Sequence, residues 1–295
     1  MAGKVEPGTI YVVATPIGNL EDITYRAVRV LGEVDLIAAE DTRRTRILLR
    51  HLGIEKPLVS YYDAIESTRS EEIVARARAG ESIALVSDAG TPLVADPGYR
   101  LVHLARAEGV PVVSIPGPSA PVTLLACAGL PTNRFSFLGF LPTKAGARRR
   151  LLHEVRDRDD TLVLFETARR LGDALADMAE ILGPRRAVIG RELTKAHEEV
   201  VSGDLPSFAA RFAEDATVKG EIVMVVARSE GMRWADGTTA GTEGEGAPSA
   251  LDVRLRDLLS AGTSVASAAR QVAGELGVSR RAAYSRALAL RDEPE

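Results

Sequence analysis

The 295-residue chain holds one cysteine, Cys127, which excludes a disulfide framework and any paired-cysteine zinc or redox site. Its four histidines, His51, His103, His153 and His197, are scattered with no HExxH pair, so no metal site is expected. No apolar run approaches the ~20 residues that span a bilayer. The apolar stretch at 10–14 is shorter than a secretion-signal core, and a soluble, cytoplasmic protein is expected. GxxxxGK[ST], a GxGxxG after the first strand and GxSxG are all missing. Their absence speaks against a P-loop hydrolase, a standard dinucleotide fold and a nucleophile-elbow hydrolase. Cys127 lies in an apolar stretch, VTLLACAGL, and reads as a small core residue rather than a nucleophile.

What is present points to a packed core. Hydrophobic residues make up 45% of the chain and charged residues 26%. The length suits two domains and a small appendage. The net charge of −4 is unlike a generic nucleic-acid coat, yet the charge is unevenly spread. Residues 42–56 carry Arg43, Arg44, Arg46, Arg50 and Lys56 against Glu55 alone. Residues 144–158 carry Lys144, Arg148, Arg149, Arg150, Arg156 and Arg158 against Glu154 and Asp157. Residues 251–291 carry seven arginines against Asp252, Asp257 and Glu275. Such patches can hold a polyanion, although charge runs are as a rule solvated helix faces.

Strand and helix patterns alternate along the first 229 residues. Short β-rich apolar runs at 9–14, 35–39, 57–62, 82–87 and 110–115 are separated by helical spacing at 23–31, 42–52, 66–79 and 98–108, with an apolar helix at 118–128. This predicts an α/β domain over 8–130 with a largely parallel sheet. A second α/β domain is expected over 131–229, with strands at 135–140, 161–165, 187–191, 199–202 and 221–227 and a helix at 169–182. Residues 230–249 are glycine-rich and lack bulky aliphatics where 236–248 runs, so they read as a flexible linker. Residues 250–295 predict three short helices with helix-turn-helix spacing; Ser279 caps the last, which opens with Arg280, Arg281 and Tyr284.

Three strand-exit loops are rich in Gly, Pro and small polar residues: ATPIGNLED (14–22), SDAGTPLVADPG (87–98) and IPGPSA (115–120). In a parallel sheet, loops at the strands' carboxyl ends form the ligand crevice. Glycine lets a ligand approach the backbone, and proline stiffens the loop without adding donors. These loops suit a flat base and an amino-acid moiety held by backbone groups.

ATPIGNLEDIT (14–24), DLIAAEDTR (35–43), IALVSDAGTPLVADPG (83–98) and IPGPSA (115–120) resemble the ribosomal RNA small-subunit methyltransferase I family, within the tetrapyrrole-methylase superfamily. FLPTK (140–144), FETARRL (165–171), RELTKAHEE (191–199) and KGEIVMVV (219–226) continue the likeness. The resemblance implies two α/β domains with a cleft between them, S-adenosylmethionine as donor, and a homodimer. It implies a decoding-region cytidine of small-subunit ribosomal RNA as substrate, methylated on the ribose 2′-hydroxyl. It also implies donor contacts at Pro16, Thr91, Pro92, Val94, Ser119 and Ala120, and at Glu166, Ala168, Leu193, Gly220 and Glu221. Tyr61-Tyr62-Asp63 departs from the His-rich stretch common in such enzymes.

Methyl transfer to a ribose oxygen needs alignment and a proton acceptor, but no covalent enzyme intermediate. Asp41, at the exit of the second strand beside Glu40, is the candidate base, with Lys195 polarising the oxygen. The alternatives are that Asp41 caps the helix from Thr42 and that Lys195 pairs with Glu198 or Glu199. Arg43, Arg44, Arg46, Lys144, Arg148, Arg149, Arg280 and Arg281 are the candidate RNA contacts. Two other readings are a corrin- or porphyrin-precursor methylase, which would not need the basic patches, and a ligand sensor fused to a DNA-reading helix-turn-helix.

Overall fold

Strand β1 (Ile10–Val13) is buried along its whole length. Ile10 joins Leu36, Ala38, Ile83 and Leu85 on one face of the sheet, and Tyr11 and Val13 join Ile37, Ala39, Ala84 and Val86 on the other. Period-two packing with both faces apolar demands helices on both sides. The computed structural model, which describes residues 4–213, 219–229, 250–276 and 280–292, has that architecture. β2 (Leu36–Ala39), β3 (Leu58–Ser60), β4 (Ile83–Val86) and β5 (Val112–Ile115) complete a parallel sheet in the order β3-β2-β4-β1-β5. The covering helices are α1 (Tyr25–Glu33), α2 (Thr42–His51), α3 (Glu66–Arg78) and α4 (Tyr99–Ala107). Thr24 caps α1 by accepting from the Ala27 amide at 3.1 Å. All carboxyl ends of a parallel sheet point one way, so the three Gly/Pro-rich loops gather at one edge.

The second sheet is mixed. β6 (Phe135–Phe140), β7 (Thr161–Thr167), β8 (Arg186–Arg191), β9 (Glu199–Asp204) and β10 (Glu221–Val226) lie in the order β6-β7-β10-β8-β9. Only β6 and β7 are parallel neighbours. Leu171, Ala174, Leu175 and Met178 of α7 (Leu171–Leu182) pack on it. Two helices were not expected from the pattern. α6 (Ala145–Val155) hides its inner face behind three consecutive arginines, one of which, Arg148, is itself buried with Leu152 and Val155. α8 (Leu205–Phe212) is eight residues long with proline in its first turn, too short for a periodicity to register.

Residues 1–229 form one body. The expected boundary near 130 separates the two sheets along the chain, but α5 (Ala120–Cys127) joins them in space. Leu124 and Leu125 pack with Val163, Val188, Val223 and Val225 of the second sheet. A Cβ on Gly190 would lie 2.9 Å from Leu124 Cδ1, so glycine there permits the close approach. Cys127 corrects the expectation of a core residue: it sits on the outer side of α5 and is exposed.

Residues 230–295 form a second unit. α9 (Ala250–Ser260), α10 (Val265–Leu276) and α11 (Arg280–Asp292) enclose Leu255, Ala268, Val272, Ala287 and Leu290. Arg286 grips Asp252 through two bonds of 2.7 Å. The expected linker, the Ser279 cap and the Arg281 side chain lie outside the described residues.

Candidate active site

The carboxyl edge of the first sheet faces the second sheet across a cavity of about 320 Å³. The first half contributes Glu40, Asp88, Thr91, Val94 and Asp96, with Ser119 and Ala120 from the start of α5. The second contributes Phe140, Phe165, Glu166, Gly220 and Glu221. A smaller cavity of about 270 Å³, walled by Pro16, Gly18, Leu20, Ile47 and Lys195, adjoins it. Ile17, Arg44, Asp88, Ala89 and Glu221 line both and therefore stand at their junction.

The cavity loops are strained. Among the described residues, the only non-glycine residues with positive φ are Leu93 (72°), Ala95 (64°), Glu192 (50°) and Thr194 (65°). The first two lie in the 87–98 loop, the others in the loop after β8. Such residues persist where surrounding contacts over-determine the backbone, and they cluster at functional sites. The loops also interlock: the Asn19 amide donates to Thr194 Oγ1 at 3.0 Å. A Cβ on Gly18 would come within 2.5 Å of Lys195 Cγ and 2.9 Å of the Leu193 carbonyl.

Carboxylates dominate the first-half wall. The Asp88 amide donates to Glu40 Oε2 at 3.1 Å, and the Asp41 amide donates to Asp88 Oδ1 at 3.0 Å. The two strand exits thus hold one another. Arg44 reaches Asp88 at 3.4 Å. Burial raises the Glu40 carboxyl above its ordinary range. Burial, reinforced by the charge of Glu40, pushes Asp96 up to about 6. A carboxyl whose native value exceeds its unfolded one binds more protons when folded, so its contribution to stability falls as pH rises from about 4 to about 6. Asp96→Asn removes that loss. It is expected to stabilise the fold at pH 7, by about 1 kcal/mol after allowing for solvent access, and by less at pH 4.5. Urea unfolding at the two pH values checks this; a gain that is larger at pH 4.5 contradicts it.

Asp41, the expected base, is held as a helix cap. It caps α2, accepting from the Arg43 amide at 2.8 Å and from the Arg43 guanidinium at 3.0 and 2.7 Å. Those bonds hold its carboxyl at about 2, and it lines neither cavity. The capping alternative is the one the structure contains. Lys195 is at the site, bonded to Glu192 at 2.9 Å and Glu221 at 3.0 Å rather than to Glu198 or Glu199. Burial works against its charge, but the two carboxylates outweigh it, so its value is raised and it stands as an ammonium.

Of the expected donor contacts, Thr91, Val94, Ser119, Ala120, Glu166, Gly220 and Glu221 line the larger cavity, and Pro16 lines the smaller. Pro92, Ala168 and Leu193 line neither; Leu193 packs with Ile17 where the halves meet. Glu166 is 1% exposed, braced by the Thr167 amide at 2.8 Å and Arg170 at 3.0 Å. Sequence reasoning missed Asp88, Asp96, Phe140 and Phe165. Asp88 and Asp96 stood within the quoted 87–98 loop, and Phe140 and Phe165 open the quoted FLPTK and FETARRL stretches, but none of the four was singled out.

The expected RNA contacts divide. Arg43 and Arg44 lie on the exposed start of α2, tied to Asp41 and Asp88, and Arg46 is exposed with Arg50 and Lys56 nearby. Lys144 is exposed at the start of α6, and Arg280 at that of α11. Arg148 must be corrected. Its side chain is 7% exposed and bonds Asp177 at 2.6 Å, while Arg149 bonds Asp177 at 2.7 Å and also Glu180. These pairs fasten α6 to α7 and leave Arg148 closed to phosphate. Tyr61, at the departure from the His-rich pattern, is a core residue bonded to Ser70 at 3.0 Å and Glu66 at 3.1 Å.

The larger cavity fits S-adenosylmethionine. Phe140 and Phe165, with ring centroids 5.3 Å apart, and Val94 offer apolar surface to a flat base. Glu40, Asp88, Asp96 and Glu221 offer negative charge to a sulfonium and an ammonium. Among the described residues, no group of three or more His, Cys, Asp or Glu is placed to hold a metal ion.

The family model for Tetrapyrrole (Corrin/Porphyrin) Methylases matches residues 9–209. The chain is 45% identical over 280 residues to a Ribosomal RNA small subunit methyltransferase I of Xylella fastidiosa, covering 94% of this chain and 98% of that protein. It is 44% identical over 292 residues to one of Mesorhizobium japonicum, covering 99% and 95%. Among solved structures, a uroporphyrin-III C-methyl transferase of Thermus thermophilus complexed with S-adenyl homocysteine superposes with a TM-score of 0.53 at 22% identity, over 74% of this chain and 96% of that one. That likeness shows the fold. Two sheets meeting at a strained, glycine-lined cleft, and identity carried across nearly the full length, have one meaning: the chain belongs to the tetrapyrrole methylase family, with the small-subunit ribosomal RNA methyltransferases I.

Proposed function

We propose that the chain transfers a methyl group from S-adenosylmethionine to the ribose 2′-hydroxyl of a cytidine in the decoding region of small-subunit ribosomal RNA. The observation that carries this is the pair of adjoining cavities with shared walls, in a chain 44–45% identical to enzymes of that name. The larger cavity is the donor site and the smaller receives the ribose. The donor, when bound, supplies a methyl group already activated on sulfur. Thr91, Val94, Ser119, Ala120, Gly220 and Glu221 hold it, and Phe140, Phe165 and Ile17 keep water from the junction.

Asp88, common to both cavities, takes the proton of the hydroxyl. Lys195, anchored by Glu192 and Glu221, polarises the same oxygen. Arg43, Arg44, Arg46 and Lys144 position the phosphate backbone without reading sequence. Replacing Arg44 and Arg46 together by alanine is expected to weaken RNA binding and to reduce the slope of log K against log salt by roughly 1–2. An unchanged slope in a filter-binding titration contradicts the placement.

The chain works in the cytoplasm as a homodimer in this reading. No described helix is long and apolar enough to cross a membrane. Val122 (57% exposed) and Phe135 (46%) border an apolar hollow beside α5 that a second copy would cover.

The deciding experiment is methyl transfer from labelled S-adenosylmethionine to small ribosomal subunits from cells lacking this protein, followed by nucleoside separation. Label in 2′-O-methylcytidine is the expected result. No label in subunits or naked ribosomal RNA, with donor binding intact, overturns the reading and turns attention to tetrapyrrole precursors.

A further inference from the structure

We propose that the groove between α10 and α11 holds one unpaired RNA nucleotide, with its base on Tyr284 and its phosphates at Arg270 and Arg280. This rests on the ribosomal RNA reading above and gives the C-terminal unit its part in it.

The groove, about 340 Å³, is lined by Ala266, Ala269, Arg270, Arg280 and Tyr284. Ala266, Ala269 and Arg270 recur at i, i+3 and i+4 on α10, so they share one face. Arg280 and Tyr284 do the same at i and i+4 on α11. The floor is therefore two methyl groups, which leave room for a flat ring. Tyr284 is 44% exposed, so its ring edges the groove instead of filling the core.

The charges are of two kinds. Arg254 is committed to Glu275 at 2.9 Å and Arg286 to Asp252 at 2.7 Å. Arg270 and Arg280 have no ion-pair or hydrogen-bond partner among the described residues, and no carboxylate lines the groove. An aromatic ring flanked by two uncommitted guanidiniums is a stacking platform with phosphate contacts.

The choice of an unpaired nucleotide follows from RNA geometry. A helix-turn-helix reads duplex DNA by laying its last helix in a major groove about 12 Å wide. The major groove of an RNA duplex is deep and narrow, and side chains cannot read it. On ribosomal RNA, α11 therefore cannot work as it would on DNA. A splayed base from a loop or single strand can enter the α10–α11 groove.

The test uses the full chain. Steady-state methyl transfer to small ribosomal subunits and fluorescence anisotropy with a mixed-sequence 12-nucleotide single-stranded RNA are measured for wild type, Tyr284→Ala, Tyr284→Phe and Arg270→Ala. Tyr284→Ala is expected to raise KM for subunits, and Kd for the oligonucleotide, roughly tenfold, with kcat unchanged. Tyr284→Phe keeps the ring and should match wild type, which a hydrogen-bonding role of the hydroxyl would not allow; the unchanged kcat of Tyr284→Ala separates stacking from a merely structural role. Arg270→Ala should weaken binding and its salt dependence. Unaltered KM and Kd in Tyr284→Ala, or tighter binding of a duplex of the same length, overturn the proposal. If wild type methylates nothing, the function assigned above fails, and the oligonucleotide measurements still decide the groove.

Discussion

Asp88→Asn is expected to lower kcat for methyl transfer by roughly 10²–10³ while donor binding stays within a few-fold. Asparagine keeps the carbonyl oxygen that accepts from the Asp41 amide, so the joined strand exits survive. The ion pair to Arg44 is lost, but at 3.4 Å with a largely exposed guanidinium it contributes little. What disappears is the carboxylate proposed above as proton acceptor, at the junction of the cavities. Asp41→Ala makes the contrast. It should lower the melting temperature, because α2 loses its cap, and leave kcat of the folded enzyme within a few-fold. Single-turnover rates at saturating donor measure both. A large rate loss in Asp41→Ala with a normal rate in Asp88→Asn would return the proton to Asp41.

Gly18→Val should be nearly as damaging by a different route. Any Cβ at this position meets Thr194 Oγ1 at 2.7 Å and the Leu193 carbonyl at 2.9 Å, besides the Lys195 side chain. The lysine stem can swing aside, but the carbonyl belongs to a loop already strained at Glu192 and Thr194. The loops after β1 and β8 must then part by about half an ångström or more. A displacement near 1 Å can cost about 10²-fold in rate, and overpacking costs about 1–3 kcal/mol of stability. The expected result is a fall in kcat/KM of at least tenfold with a measurable drop in melting temperature. Wild-type kcat/KM in Gly18→Val would mean that contact between these loops has no part in forming the site.

Most of the fold was legible because its signals are local. Buried β runs such as IYVV and LIAA declare themselves by length and apolarity, and the Gly/Pro-rich stretches mark strand exits. Seven of the eleven donor contacts implied by the family resemblance line the larger cavity, because short loops leave the motif little freedom. The exceptions have particular causes. Arg148 looked like surface charge because two arginines follow it; its partner Asp177 lies 29 residues away on α7. Cys127 looked buried because its neighbours are apolar, yet α5 turns those neighbours toward the second sheet and Cys127 away from it.

The amino-acid sequence by itself determined most of the elements (α6 and α8 excepted), the loop chemistry and the family, since these depend on period, composition and short motifs. It determined that Asp41 stands where a cap or a base could stand, but not which. Only the tertiary structure showed that it caps α2 and lies outside both cavities. Capping is settled by a hydrogen bond two residues along the chain, whereas a proton acceptor must face a cavity assembled from both sheets. Asp88, at the exit of β4, lies more than a hundred residues from Lys195, in the loop after β8, and from Glu221, at the start of β10, and no local pattern encodes their meeting. It follows from α5 packing across both halves and from the absence of a side chain at Gly18.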